Sequence, residues 1–167
     1  MPNTLAHIGV QFLVARTLIR SADVKWIWAS CIIPDLPWIL QRALRATLPD
    51  VSAYEVRLYA IAQSSFAVCL ILSIALAIWS VRPARVFAIL GLGCLTHLLL
   101  DSLQTKWANG VHLFAPVSWD LLNFGLFWPE DAITFALTAF GVAMAFFAWM
   151  RIPRDACLLY TSPSPRD

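Results

Sequence analysis

Charge is what this chain has least of: Asp, Glu, Lys and Arg make up 13% of its 167 residues, about half the share usual in a soluble domain. So few polar groups cover a water-soluble globule poorly. Intrinsic disorder is excluded as well, because it requires high charge and few apolar residues, whereas 60% of this chain is hydrophobic and its mean hydropathy is +0.71. The net charge of +2 is scattered rather than gathered into a stripe, which argues against a nucleic-acid partner. Paired cysteines are missing: Cys31, Cys69, Cys94 and Cys157 stand alone, with no CxxC. Neither a thiolate zinc site nor a disulfide framework is therefore indicated. GxSxG, Walker and GxGxxG motifs are absent too. The opening MPNTLAH lacks a positive segment ahead of a cleavage site, so the spans themselves are expected to direct insertion.

What remains reads as an all-α integral membrane helical bundle of about five helices. Residues 1–155 form the membrane helical domain. Residues 156–167 shift abruptly to Ser, Pro and charge and are expected to be a disordered or artefactual tail. Leu58–Ser80 and Ala132–Met150 are uncharged over 23 and 19 residues, long enough to cross about 30 Å of hydrocarbon. Val86–Leu100, prolonged to Leu103, is a third span, with Gly91 and Gly93 allowing close approach of a neighbour. The first two helices, Leu5–Ile19 and Trp26–Leu40, are short or partly re-entrant, and the second is interrupted by Pro34-Asp35-Leu36-Pro37. Two prolines without N–H groups are expected to open it and free backbone carbonyls.

Basic residues orient the bundle. Arg16, Arg20, Lys25, Arg82, Arg85, Arg151 and Arg154 fall on one side, which the positive-inside rule makes cytoplasmic. Trp26, Trp28, Trp79 and Trp149 lie near span ends on that side, at the depth indole rings favour. Gln104–Asp131 is too apolar for a solvated tether and too interrupted to span, so it is expected to lie as an aromatic interfacial loop over the extracytoplasmic helix ends. Ser64 and Ser65 are expected to hydrogen-bond to a neighbouring helix.

Against this apolar background the ionisable residues stand out, since such groups are expensive at membrane depth. His97 and Asp101 are four apart on one helix and so share a face. That spacing suits a metal ion, with nitrogen and oxygen each about 2.0 to 2.2 Å from zinc, and equally a metal-free His–Asp hydrogen bond. Asp35, inside an apolar run, must be paired or neutralised. The topology carries His7, Asp35, His97 and Asp101 toward the same extracytoplasmic face, and His112 in the loop is a fifth candidate ligand. Nitrogen and oxygen donors without thiolate favour zinc or another divalent transition ion over calcium.

The order of His7, PDLP at 34–37, THLLLDSLQT at 96–105 and HLFAPVSW at 112–119 resembles the inner-membrane, membrane-bound metal-dependent hydrolase family (YdjM-like) of bacteria. Members show an early His, a Pro-Asp in the second helix, a central HRxxTHS, and a late HxxxD followed by a Gly and a PxSW-type loop. The match covers roughly residues 1–150 and is most specific in its late block. The resemblance implies that His7, Asp35, His97 and Asp101 are metal ligands. It also implies a multi-pass protein of the bacterial inner membrane. The central motif is replaced by RLYAIAQSS at 57–65, without either motif histidine. A two-metal centre would lose ligands, whereas a one-metal site survives.

The expected function is a metal-dependent hydrolase at the extracytoplasmic interface, acting on a phosphoester or lipid-linked substrate among membrane lipids, with Asp35 or Asp101 as general base. The alternative is a catalytically degenerate membrane protein, kept for interaction or assembly, in which the same residues form a structural metal site or hydrogen-bond network. A transporter is disfavoured by the few spans and the lack of an inverted repeat.

Overall fold

Prolines and serines punctuate the apolar runs, and several helix boundaries fall on them. A computed structural model describes residues 4–19, 21–47, 52–105, 111–126, 128 and 131–151. The described chain is all-α: α1 (Thr4–Leu18), α2 (Val24–Ile32), α3 (Leu36–Thr47), α4 (Ala53–Gln63), α5 (Phe66–Ile78), α6 (Pro83–Leu103) and α7 (Ala132–Met150), with a 3-10 turn at Ile33–Asp35. The proposed tail, residues 156–167, lies outside the described residues.

Seven helices rather than about five result from two breaks. At Pro34 and Pro37 the chain does not open as expected. Ile32, Ile33 and Leu36 keep right-handed helical dihedrals, Ile33 N–H donates to the Ala29 carbonyl, and Leu36 N–H donates to that of Ile33. The missing proline donors are absorbed by tightening into a 3-10 turn, which keeps Asp35 on a helical path between α2 and α3.

The second break corrects the expectation of an uninterrupted span over Leu58–Ser80. α4 ends at Gln63 and α5 begins at Phe66. Ser65 is extended (φ −68°, ψ 156°), and its hydroxyl accepts from Val68 N–H at 3.5 Å, the N-cap arrangement that serines favour. Phe66 N–H donates to the Leu113 carbonyl at 3.1 Å. Ser64, just past the end of α4, donates back to the Ile61 carbonyl of that helix at 3.0 Å. The two serines therefore end one helix and start the next, instead of bridging to a neighbouring helix.

α6 starts with Pro83 in its first turn, where a missing N–H costs nothing. Among the described residues it is the one helix both long and apolar enough to cross a bilayer; α5 and the Leu137–Met150 part of α7 are apolar but shorter. It is also the hub of the fold, packing on α1, α2, α5 and the 3-10 turn. Leu90, Cys94 and Leu98 of α6 meet Ile33 and Cys69 in one core cluster, while Ile89 joins Phe12, Ala15, Ala22 and Ile27 in another. Small residues set these approaches. A Cβ on Gly93 would overlap the Ser30 hydroxyl of α2, and a Cβ on Gly9 of α1 would run into the Gly141 backbone of α7.

The loop after α6 is only partly the surface feature that its aromatics suggest. Val111 and Leu113 are buried in the α6 core cluster, and Val111 pairs with Leu122 in an isolated antiparallel bridge. Phe124 N–H donates to the Ser102 carbonyl at 2.7 Å and Leu126 N–H to that of Leu103 at 2.8 Å. These bonds satisfy carbonyls that the end of α6 would leave open. Phe114, Val117, Trp119, Leu121, Phe124 and Leu126 face outward. Lys106, Trp107 and Glu130 lie outside the described residues.

Candidate metal centre

Three elements deliver four ionisable side chains to one place. α1 supplies His7 from its first turn, the 3-10 turn supplies Asp35 as its last residue, and α6 supplies His97 and Asp101 one turn apart. His7, Asp35 and His97 are buried and Asp101 is half-buried. His7 Nε2 lies 3.3 Å from Asp101 Oδ1. His97 Nε2 lies 3.3 Å from Asp35 Oδ1 and 3.9 Å from Asp101 Oδ2. The two imidazole rings are 4.4 Å apart between centroids and inclined by 33°.

The spacing bears on what the cluster can hold. Ligand atoms of His7, His97 and Asp101 all lie within 4.8 Å of one another, so these three residues could hold a metal ion. Donors placed about 2.0 to 2.1 Å from a tetrahedral ion are separated along each tetrahedron edge by about 3.3 to 3.4 Å. Within the trio the 3.3 Å between His7 and Asp101 matches that edge, and the 3.9 Å between His97 and Asp101 is about half an ångström wider. Burial adds to the chemistry, because a low-dielectric setting penalises unpaired carboxylates and rewards a cation placed between them. The donor set of two imidazole nitrogens and carboxylate oxygen therefore fits a divalent transition ion.

Asp35 stands apart from that trio. It touches His97 but is not among the residues whose ligand atoms are all mutually within 4.8 Å. His112 is not in the trio either. Its Nδ1 lies 3.0 Å from the Trp119 carbonyl and its ring meets the Trp119 indole edge-on at 6.0 Å, a local contact within the loop. If the trio holds a divalent ion, His112→Ala is accordingly expected to change its affinity by no more than about twofold; a loss of tenfold or more by metal titration would restore His112 to the ligand set.

Sequence reasoning passed over two residues that adjoin the cluster. Gln11, one turn after His7, is buried, with Oε1 3.0 Å from the hydroxyl of Ser30, itself fully buried. The available signal was the i, i+4 relation of His7 and Gln11 on an otherwise apolar helix. Comparison of the chain with models of protein families, with curated proteins and with solved structures returns no match.

Proposed function

We propose that the chain is an integral membrane protein of the bacterial inner membrane whose His7, His97 and Asp101 bind one divalent metal ion, zinc, and that it is a metal-dependent hydrolase acting at the extracytoplasmic interface. The observation that carries the reading is the convergence of those three donor groups, from helices far apart in sequence, to within 4.8 Å. Membrane embedding is supported by the outward apolar residues of α5 and α7. Ile71, Ile74 and Ile78 face out from α5, and Leu137, Phe140, Phe146 and Trp149 from α7. A water-facing surface would not carry such a concentration of large apolar groups.

Bound zinc would supply Lewis acidity and lower the pKa of a coordinated water toward about 7. The remaining work belongs to the chain. His7 and Asp101 face each other from α1 and α6, which ties two helices to the site and fixes donor directions. Asp35, beside His97 and outside the trio, is the carboxylate left to accept a proton as general base. A phosphoester or lipid-linked substrate follows from the neighbouring aromatic loop, where an amphiphile can rest its apolar part while presenting its headgroup.

A second reading is favoured by the replacement of the central HRxxTHS by RLYAIAQSS at 57–65. In it, the cluster is a structural metal or hydrogen-bonded centre in a catalytically degenerate protein. Metal content and turnover separate the two. Detergent-purified protein exposed to zinc and then dialysed is expected to retain one ion per chain by elemental analysis, and no retained ion overturns both metal readings. Retained zinc without hydrolysis of any phosphoester in a broad panel would favour the structural reading.

A further inference from the structure

Two buried polar atoms beside the cluster have no hydrogen-bond partner among the described residues: Nε2 of Gln11 and Nδ1 of His97. Their side chains are almost wholly enclosed, with Gln11 1% and His97 2% exposed. Buried polar groups are paired in the great majority of proteins, so two orphans, one on His97 and one a turn after His7, call for a common explanation.

Their placement supplies one. Gln11 Oε1 lies 3.2 Å from the position a Cβ would take on Gly93, and Gly93 is one turn before His97 on α6. Helical side chains lean toward the helix N-terminus, so the His97 ring covers the turn that contains Gly93. Amide and imidazole thus address the same patch of α6. Ser30 completes the picture, with its hydroxyl 3.0 Å from Gln11 Oε1 and 2.7 Å from the Ile27 carbonyl. A hydroxyl has one proton for these two acceptors. A half-turn of the Gln11 amide resolves the conflict: Nε2 donates to Ser30 Oγ, Ser30 donates to the Ile27 carbonyl, and Oε1 becomes free to accept a proton elsewhere.

We propose that Gln11 is the positioning residue of the metal centre: its amide oxygen accepts the Nδ1–H of His97 and so holds His97 in the tautomer whose Nε2 lone pair faces the ion. This rests on the metal-site reading above. Metal-bound histidines generally donate their second ring N–H to an oxygen acceptor, and loss of that acceptor typically lowers metal affinity about 10- to 100-fold. Gly93 has a part in it, since only a residue without a side chain leaves room for Ser30 and the amide against α6.

The test uses the full chain in detergent, with zinc titration and 15N NMR of the histidine rings. Q11L is expected to weaken zinc binding about 10- to 100-fold, and in the zinc-loaded protein to shift the His97 Nδ1–H signal, which loses its acceptor. Q11E, whose carboxylate oxygen can accept the same proton, is expected to bind within about threefold of wild type. Wild-type affinity and unchanged His97 ring signals in Q11L would overturn the proposal while leaving the metal site standing. Failure of the wild type to take up zinc would overturn the site and the role of Gln11 together. Should Q11L not fold, S30A decides: it removes the anchor of the amide and keeps Gln11, and unchanged His97 signals there would overturn the assignment.

Discussion

Replacement of His97 by alanine is expected to abolish zinc retention and to destabilise the protein by about 3 kcal/mol. His97 is the residue that touches both carboxylates, 3.3 Å from Asp35 and 3.9 Å from Asp101, at 2% exposure. Its removal takes away one donor of the trio and leaves Asp35 buried without the ring that faces it. Truncating one partner of a buried ionisable pair costs more than the pair contributes, because the other partner remains desolvated. The two effects are separable. Asp101→Asn removes a charged donor and keeps the shape, so it should lose zinc at least tenfold while losing about 1 kcal/mol of stability or less. Zinc titration and thermal unfolding in the same detergent provide both readouts. His97→Ala protein that binds zinc as tightly as wild type would refute the proposed ligand set.

The second large effect is expected where no ionisable group is involved. Gly9→Ala should cost about 3 kcal/mol, lowering the unfolding temperature by roughly 6 to 12 °C. The added Cβ would sit against the Gly141 carbonyl and 2.8 Å from the Gly141 Cα, and backbone cannot yield as a flexible side chain does. α1 would have to move off α7. Because α1 also carries His7, the same displacement should weaken zinc binding. Gly91→Ala is the control: its Cβ would meet only Leu70 Cδ2, at 3.3 Å, the far end of a mobile side chain, and should cost less than 1 kcal/mol. Equal unfolding temperatures for the two variants would show that α1 and α7 do not pack backbone to backbone.

Legibility in the sequence followed the range of the interactions. The limits of the last helix, Ala132–Met150, were read directly, because an uncharged 19-residue run has few alternatives. α6 was found to within its first turn, since its uncharged run starts just after Arg85. The break at Ser64–Ser65 was missed for the opposite reason. Hydropathy does not distinguish a serine inside a span from a serine that caps a new helix, and here the Phe66 N–H finds its partner 47 residues away in the Leu113 carbonyl. Likewise the prolines around Asp35 announced a disturbance without revealing that a 3-10 turn would accommodate it. Gly93 was expected to permit close approach, and it admits Ser30 of α2. Gly9, which governs the α1–α7 contact, carried no local mark to set it apart.

The site divides in the same way. Composition alone determined that this is an oily, helical chain in which a few ionisable groups would be conspicuous. The spacing of His97 and Asp101 placed them on one face, because four residues are close to one helical turn. No local rule could bring His7 to Asp101, Asp35 to His97, or Gln11 to Ser30. Those pairings depend on which apolar helices lie together and in what register, and that is decided by packing shape: the notches at Gly9 and Gly93, the 3-10 turn that carries Asp35, and the central position of α6 among its neighbours. Hydrophobicity drives burial without direction, so only the tertiary structure, through steric fit, determined which of the scarce polar groups would meet.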